Sequence, residues 1–450
     1  MAALLTPHAQ KKAIWGWALY DWANSAFATT VMAGFFPVFF KQYWSHSTDV
    51  NLSTAQLGYG NAAAGLVMAL LAPVIGAAAD TASARKRGLV GFAYLGALAT
   101  AALYLVGQGQ WAWAIFCYAL GVIGFSGANV FYDALLPSVA PPARIDTVSS
   151  LGYALGYLGG GLLFLLNVIM TLSPRTFGLA DAAAAVRLSF IAVALWWGVF
   201  TVFTIRWVPE PRPAAGIGLL PAVAAGVREL GATFRRVRRL KPIWLFLLAY
   251  WCYIDGVDTI IRMAVDYGLS LGFSSQDLIA ALLVVQFVGF PAALVFGRLG
   301  RRWGPRPAIF LAIAIYMGVT VWAAMMTNRG EFYVMAVIIG LVQGGIQALS
   351  RSYYARLIPA EHPAEFFGFY NMLGKFASIV GPALMGTVGL LVRRALMPAA
   401  PDAEQLARIG QIASRTSILS LLVLFALGAV LLWRVKDPAA IRGEDQTPGR

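Results

Sequence analysis

Phe131-Tyr132-Asp133-Ala134-Leu135-Leu136-Pro137 closes one apolar run of the chain, and Tyr353-Tyr354-Ala355-Arg356-Leu357-Ile358-Pro359 closes another 222 residues later. Each string carries two aromatic residues, a short stretch holding one charge, two aliphatic residues and a proline. A second pair keeps nearly the same distance. Gly76 ends an apolar run before a basic turn, and Gly297 ends another 221 residues further on. Two independent pairs at one spacing indicate a duplicated unit, two copies of which fill most of the 450 residues.

The composition says where such a unit folds. Apolar residues make up 59% of the chain and charged residues 12%, about half the usual charged share of roughly 25% in soluble domains. Apolar runs of about twenty residues recur, each long enough to cross a bilayer as a helix. The runs predict twelve helices near 13–40, 56–79, 88–107, 111–134, 147–171, 187–207, 242–265, 275–297, 306–327, 332–354, 364–392 and 414–434. The expected organisation is a six-helix half over 1–207, a basic linker over 208–241, a second six-helix half over 242–435 and a tail over 436–450. The 46 glycines suit helix packing in lipid, where small residues let backbones approach.

A net charge of +14 raises nucleic acid as a partner, but the distribution argues against it. Of 34 Lys and Arg residues, 24 fall in alternate loops and the tail, among them Lys11, Lys12, Arg85 to Arg87, Arg206 to Lys241, Arg298 to Arg306, Arg351 and Arg356. Eight fall on the other side, and Arg262 and Lys375 lie within apolar runs. The positive-inside rule then puts both termini in the cytoplasm of an inner or plasma membrane protein. Lys11-Lys12 before Ala26-Phe27-Ala28 resembles a signal peptide, yet Asp21 and Asn24 interrupt its apolar core and the run continues to Phe40. It reads as an uncleaved first helix. Cys117 and Cys252 lie in apolar runs and read as small apolar side chains, with no disulfide or metal site expected. In the linker, Val223–Val237 reads either as an amphipathic helix on anionic lipid or as a solvated connector.

Duplicated halves of this kind are one way membrane carriers are built, with the solute bound between the halves near the bilayer midplane. Gly297-Arg298-Leu299-Gly300-Arg301-Arg302-Trp303-Gly304-Pro305-Arg306 resembles the loop signature of the major facilitator superfamily, although Arg301 stands where an acidic residue is usual. The first-half copy keeps the acid, as Gly76, Asp80 and Arg85, but lacks the later glycine. Glycine lets helix ends approach, and the aspartate can cap a helix or pair with a basic group. The resemblance implies the major facilitator fold, an all-α membrane protein, with Gly76, Asp80, Arg85, Gly297, Arg302 and Gly304 as gating residues.

Ionisable groups at membrane depth are costly, about 2.5–3.5 kcal/mol on insertion scales, so each is a functional candidate. Asp21 and Asn24 share a helix face with Ser25. Asp255, Asp258 and Arg262 form a second stripe, in which Asp258 and Arg262 stand in the favourable order for an ion pair. Gln343 and Gln347 form a third stripe, and Asn371 and Lys375 a fourth. These nine residues are the candidate substrate or proton site. The competing readings are a packing hydrogen bond for Asp21, a self-contained ion pair on the seventh helix, and interhelical glue for the glutamines.

Tyr20-Asp21-Trp22-Ala23-Asn24-Ser25-Ala26-Phe27, Gly340 to Ser352 and Phe366-Phe367-Gly368-Phe369-Tyr370-Asn371 resemble signatures of the autophagy-related vacuolar amino-acid effluxers and their bacterial relatives. The resemblance covers the whole chain. It implies a proton-linked or uniport carrier of a small solute, by analogy an amino acid, whose ammonium would meet carboxylates and whose carboxylate would meet Arg262 or Lys375. Export of amphipathic compounds or lipids is the alternative, and a non-transporting sensor or scaffold is a third. Enzymatic activity is not expected, since His8, His46 and His362 lie in terminal or loop segments with no nucleophile or metal constellation. No cofactor is expected, and the chain is expected to work as a monomer.

Overall fold

The computed structural model describes residues 6–46, 50–81, 84–210, 231, 234–270, 274–359, 361–398 and 402–435. They are helical almost throughout. Before the linker come α1 (Pro7–Trp44), α2 (Val50–Thr81), α3 (Arg85–Ala102), α4 (Trp111–Val139), α5 (Ile145–Leu172) and α6 (Ala182–Trp207). After it come α7 (Lys241–Ser270), α8 (Ser275–Trp303), α9 (Pro305–Met325), α10 (Arg329–Leu357), α11 (Pro363–Leu396) and α12, in two pieces (Ala403–Leu419 and Leu421–Trp433). The expected tail over 436–450 and most of the 223–237 stretch lie outside the described residues; 234–239 is helical.

Eleven of these helices are long and apolar enough to cross a membrane among the described residues. α11 spans 34 residues, and the side chains at 375 and 377–379 within it lie outside the described residues.

Local chemistry explains the ends. Thr6 Oγ1 accepts from the Ala9 amide and Pro7 takes the first helical position, so α1 starts six residues before the expected 13. The Asp181 side chain caps α6 through the Ala184 amide at 2.7 Å, and Asn328 caps α10 through the Glu331 amide at 3.0 Å. Ser274 and Asp277 form a reciprocal capping box at the start of α8. Gly304 turns α8 into α9 with φ at +86°, a left-handed conformation that costs glycine nothing, and Pro305 then opens α9.

α1 packs along α5 and α6, α3 along α4 and α6, α7 along α11 and α12, and α10 along α8 and α9. The two sets meet through α2 against α11 and α5 against α8, with α10 on α5 and α11 on α4 between them. Large aromatic residues such as Trp17, Trp197, Tyr253 and Tyr316 are fully buried. Leu98, Leu105, Leu195, Leu390 and Val423 stay exposed, which suits an outer surface bathed in lipid.

Candidate functional site

Arg351 sits near the end of α10, where its charge reads as part of a basic loop. The structure corrects that: Arg351 is only 2% exposed and its guanidinium points between the two helix sets. Nη1 lies 3.2 Å from Asp133 Oδ1 on α4, and Nη2 lies 3.6 Å from Asp21 Oδ2 on α1. Nε donates to Ser149 Oγ at 3.0 Å, and Nη2 donates to the Ser149 carbonyl at 2.9 Å on α5. The rings of Tyr153, Trp17 and Tyr132 face the guanidinium with centroids 4.4, 4.9 and 5.1 Å away, a cation–π contribution that grows when water is excluded.

The carboxylates are held in turn. Tyr132 Oη donates to Asp21 Oδ2 at 2.9 Å, while Trp17 stacks on Tyr132 and donates to its carbonyl at 2.8 Å. Asn371 on α11 donates to Asp133 Oδ2 at 3.0 Å. Gly152 leaves the space this needs, because a Cβ there would stand 2.6 Å from Tyr132 Oη and 2.8 Å from Asp21 Oδ2. One guanidinium and two carboxylates are thus enclosed by five helices, α1, α4 and α5 from the first set and α10 and α11 from the second. A buried ion pair gains little over an apolar contact, but removing one member strands the others at high cost. The cluster therefore holds the two sets together through contacts that are strong when complete and fragile when incomplete.

The seams beside it follow one plan. On α2, Asp80 Oδ1 accepts from Arg85 Nε at 2.7 Å, and its Oδ2 accepts from the Glu365 amide in the first turn of α11 at 2.8 Å. An anion at a helix N-terminus meets unsatisfied amides and the positive end of the macrodipole. Gly76 makes the approach possible, since a Cβ there would lie 2.1 Å from the Ala364 carbonyl oxygen. On the α5–α8 seam a Cβ on Gly297 would lie 2.6 Å from Ser150 Cβ, and Asp146 pairs with Arg356 of α10. Arg302 is exposed. Arg236 of the linker reaches Glu365 at 3.4 Å.

The other sequence candidates are placed apart. Asn24 is buried and donates to Asn129 Oδ1 at 2.8 Å, within the first helix set. Asp255, 1% exposed, accepts from the Gly381 amide at 2.9 and 3.0 Å and from Thr259 Oγ1 at 3.3 Å, on the α7–α11 contact. Asp258 is half-buried and stands within Coulombic reach of Tyr153, Tyr157, Tyr250 and Tyr316. Gln347 is half-buried, and Gln343 lines a cavity inside the second helix set. The side chains of Arg262 and Lys375 lie outside the described residues. Of the nine candidates, the structure brings Asp21 and Asn371 together, through Asp133 and Arg351, which the sequence reading did not select.

Two sets of membrane-length helices joined across a charge-bridged plane define the class: this is a multi-pass membrane transporter of the major facilitator superfamily. Its fold matches the crystal structure of FucP, a superfamily transporter in the outward conformation, with a TM-score of 0.68 at 11% identity, covering 95% of this chain and 98% of that one. Within the superfamily the chain belongs to the family described as vacuole effluxer Atg22 like, which matches residues 9–56, 50–145 and 139–389. It is 38% identical over 425 residues to YxiO of Bacillus subtilis, described as an uncharacterized MFS-type transporter, covering 92% of this chain and 93% of that protein. Autophagy-related protein 22 of Yarrowia lipolytica is 27% identical over 270 residues, 54% of this chain and 45% of that longer protein.

Proposed function

We propose that the protein is a secondary transporter moving a small solute by alternating access, through twelve crossings with both termini in the cytoplasm of a cell or inner membrane. The observation that carries this reading is the Arg351 cluster. It ties α10 and α11 to α1, α4 and α5 through an ion pair and hydrogen bonds, which can be broken and remade as one half rocks against the other. Loop charge puts the basic end in the cytoplasm, so Asp80–Glu365, Asp146–Arg356 and Arg351–Asp133 together close the cytoplasmic side in this conformation.

The solute is proposed to be an amino acid. The interface offers carboxylates to an ammonium group, and a guanidinium and the Asn371 amide to a carboxylate, which is the pairing a zwitterion requires. Two carboxylates against one guanidinium also leave a place for a coupling proton. A scaffold with a transporter fold has no need of charges buried between its halves. Export of amphipathic compounds is the second reading, favoured by the apolar cavity in the second helix set.

Counterflow in liposomes loaded with a panel of amino acids tests the proposal. The expected result is exchange of at least one zwitterion by the parent protein and its loss in Arg351→Gln. A well-folded parent that exchanges no amino acid but does exchange uncharged amphipathic compounds favours the second reading.

A further inference from the structure

Inside the second helix set, away from the Arg351 cluster, lies a cavity of about 140 Å³. Its described walls come from α7 to α12 alone, with Ile260, Leu282, Phe332, Ile339 and Met385 among them. None of those wall residues is charged. Polar groups in the wall are Gln286, Thr320 and Gln343. All three are engaged elsewhere: Gln286 Nε2 donates to Thr29 Oγ1 on α1 at 2.8 Å, Thr320 Oγ1 donates to the Tyr316 carbonyl at 2.7 Å, and Gln343 is partnered by Tyr157 on α5. Gln343 is eight residues from Arg351 along α10, about 12 Å at the helical rise, so this space is distinct from the charged interface.

We infer that this cavity is a binding site for a small, uncharged, apolar ligand of about the size of one aromatic ring. The size follows from volume. An apolar cavity of about 150 Å³ in another protein stays dry and takes up benzene. The lack of charge follows from the walls, which offer nothing to compensate a buried ion. The site extends the transporter reading without depending on it.

Fluorobenzene and 1-fluoronaphthalene, followed by fluorine NMR with the full-length protein in lipid nanodiscs, test the site against protein-free nanodiscs of the same lipid. The parent is expected to bind fluorobenzene saturably above lipid partitioning and to bind it in preference to 1-fluoronaphthalene. Ala281→Phe and Ala336→Phe, which fill the cavity from α8 and α10, are expected to weaken fluorobenzene binding about tenfold or more. Met385→Ala enlarges the space and is expected to shift preference toward 1-fluoronaphthalene. Absence of saturable binding by the parent, or one affinity shared by parent and filled variants, overturns the assignment. Should the filled variants fail to fold, an unchanged size preference in Met385→Ala overturns it equally.

Discussion

Arg351 of α10 places its guanidinium 3.2 Å from the Asp133 carboxylate of α4, joining two residues 218 positions apart across the plane between the helix sets. Asp21 completes the group at 3.6 Å from the same guanidinium. The transport proposed for this protein turns on whether that junction is permanent or is made and broken.

Arg351→Gln leaves two buried carboxylates without a counter-ion. The expected loss is about 3–5 kcal/mol of stability, the usual result of removing one partner from a buried pair. Adding Asp21→Asn and Asp133→Asn to it is expected to restore most of that loss. Thermal unfolding in one detergent, compared across the series, measures both effects. A triple variant no more stable than Arg351→Gln shows that the charges do not depend on one another.

Gly76→Val is expected to part α2 from α11 at the basic end, because even a Cβ there would meet the Ala364 carbonyl oxygen at 2.1 Å. Cysteines introduced at Ala84 and His362, cross-linked with short bifunctional reagents, should react less efficiently in this variant than in an otherwise identical control. Equal cross-linking in both contradicts the close approach.

Asp80→Ala removes both the Arg85 partner and the acceptor for the Glu365 amide. The expected cost is about 0.5–2 kcal/mol, in the range of a lost helix cap. Asp80→Asn keeps a cap acceptor and should recover part of it. Amide exchange over 363–366 reads the effect locally, with faster exchange expected in Asp80→Ala than in Asp80→Asn.

The helices are legible in the sequence because they rest on local order: apolar runs and caps. Asp21 and Asn371 stand out for the same reason, as polar groups inside apolar runs. Arg351 does not. It lies six residues before a helix end that also holds Arg356, and loop charge explains both equally well from sequence. What separates them is the approach of α1 and α4, more than 200 residues earlier in the chain, which buries Arg351 and leaves Arg356 partly exposed. Asp133 was hidden inside the repeated string, where its role as a repeat marker masked its charge. A signal was present all the same: Asp133 has no acidic counterpart in the second copy, where Ala355 stands. The stripe of Asp255 and Asp258 misleads in another way. Their i, i+3 spacing suggests one cavity-facing surface, but the Gly381 amide of α11 donates to Asp255, which places that carboxylate on the α7–α11 contact.

The central claim is that the halves separate at the basic end during a working cycle. Spin labels on cysteines at Ser138, near the end of α4, and Leu357, at the end of α10, measure that separation directly by pulsed dipolar spectroscopy in nanodiscs. One short distance is expected for the parent at rest, and alternating access requires that it change during transport. A second, longer population is expected when a transported solute is added, and the same longer population in the Asp21→Asn, Asp133→Asn, Arg351→Gln triple variant. A single unchanged distance in the triple variant and in the solute-treated parent would contradict the claim and leave a rigid scaffold in its place.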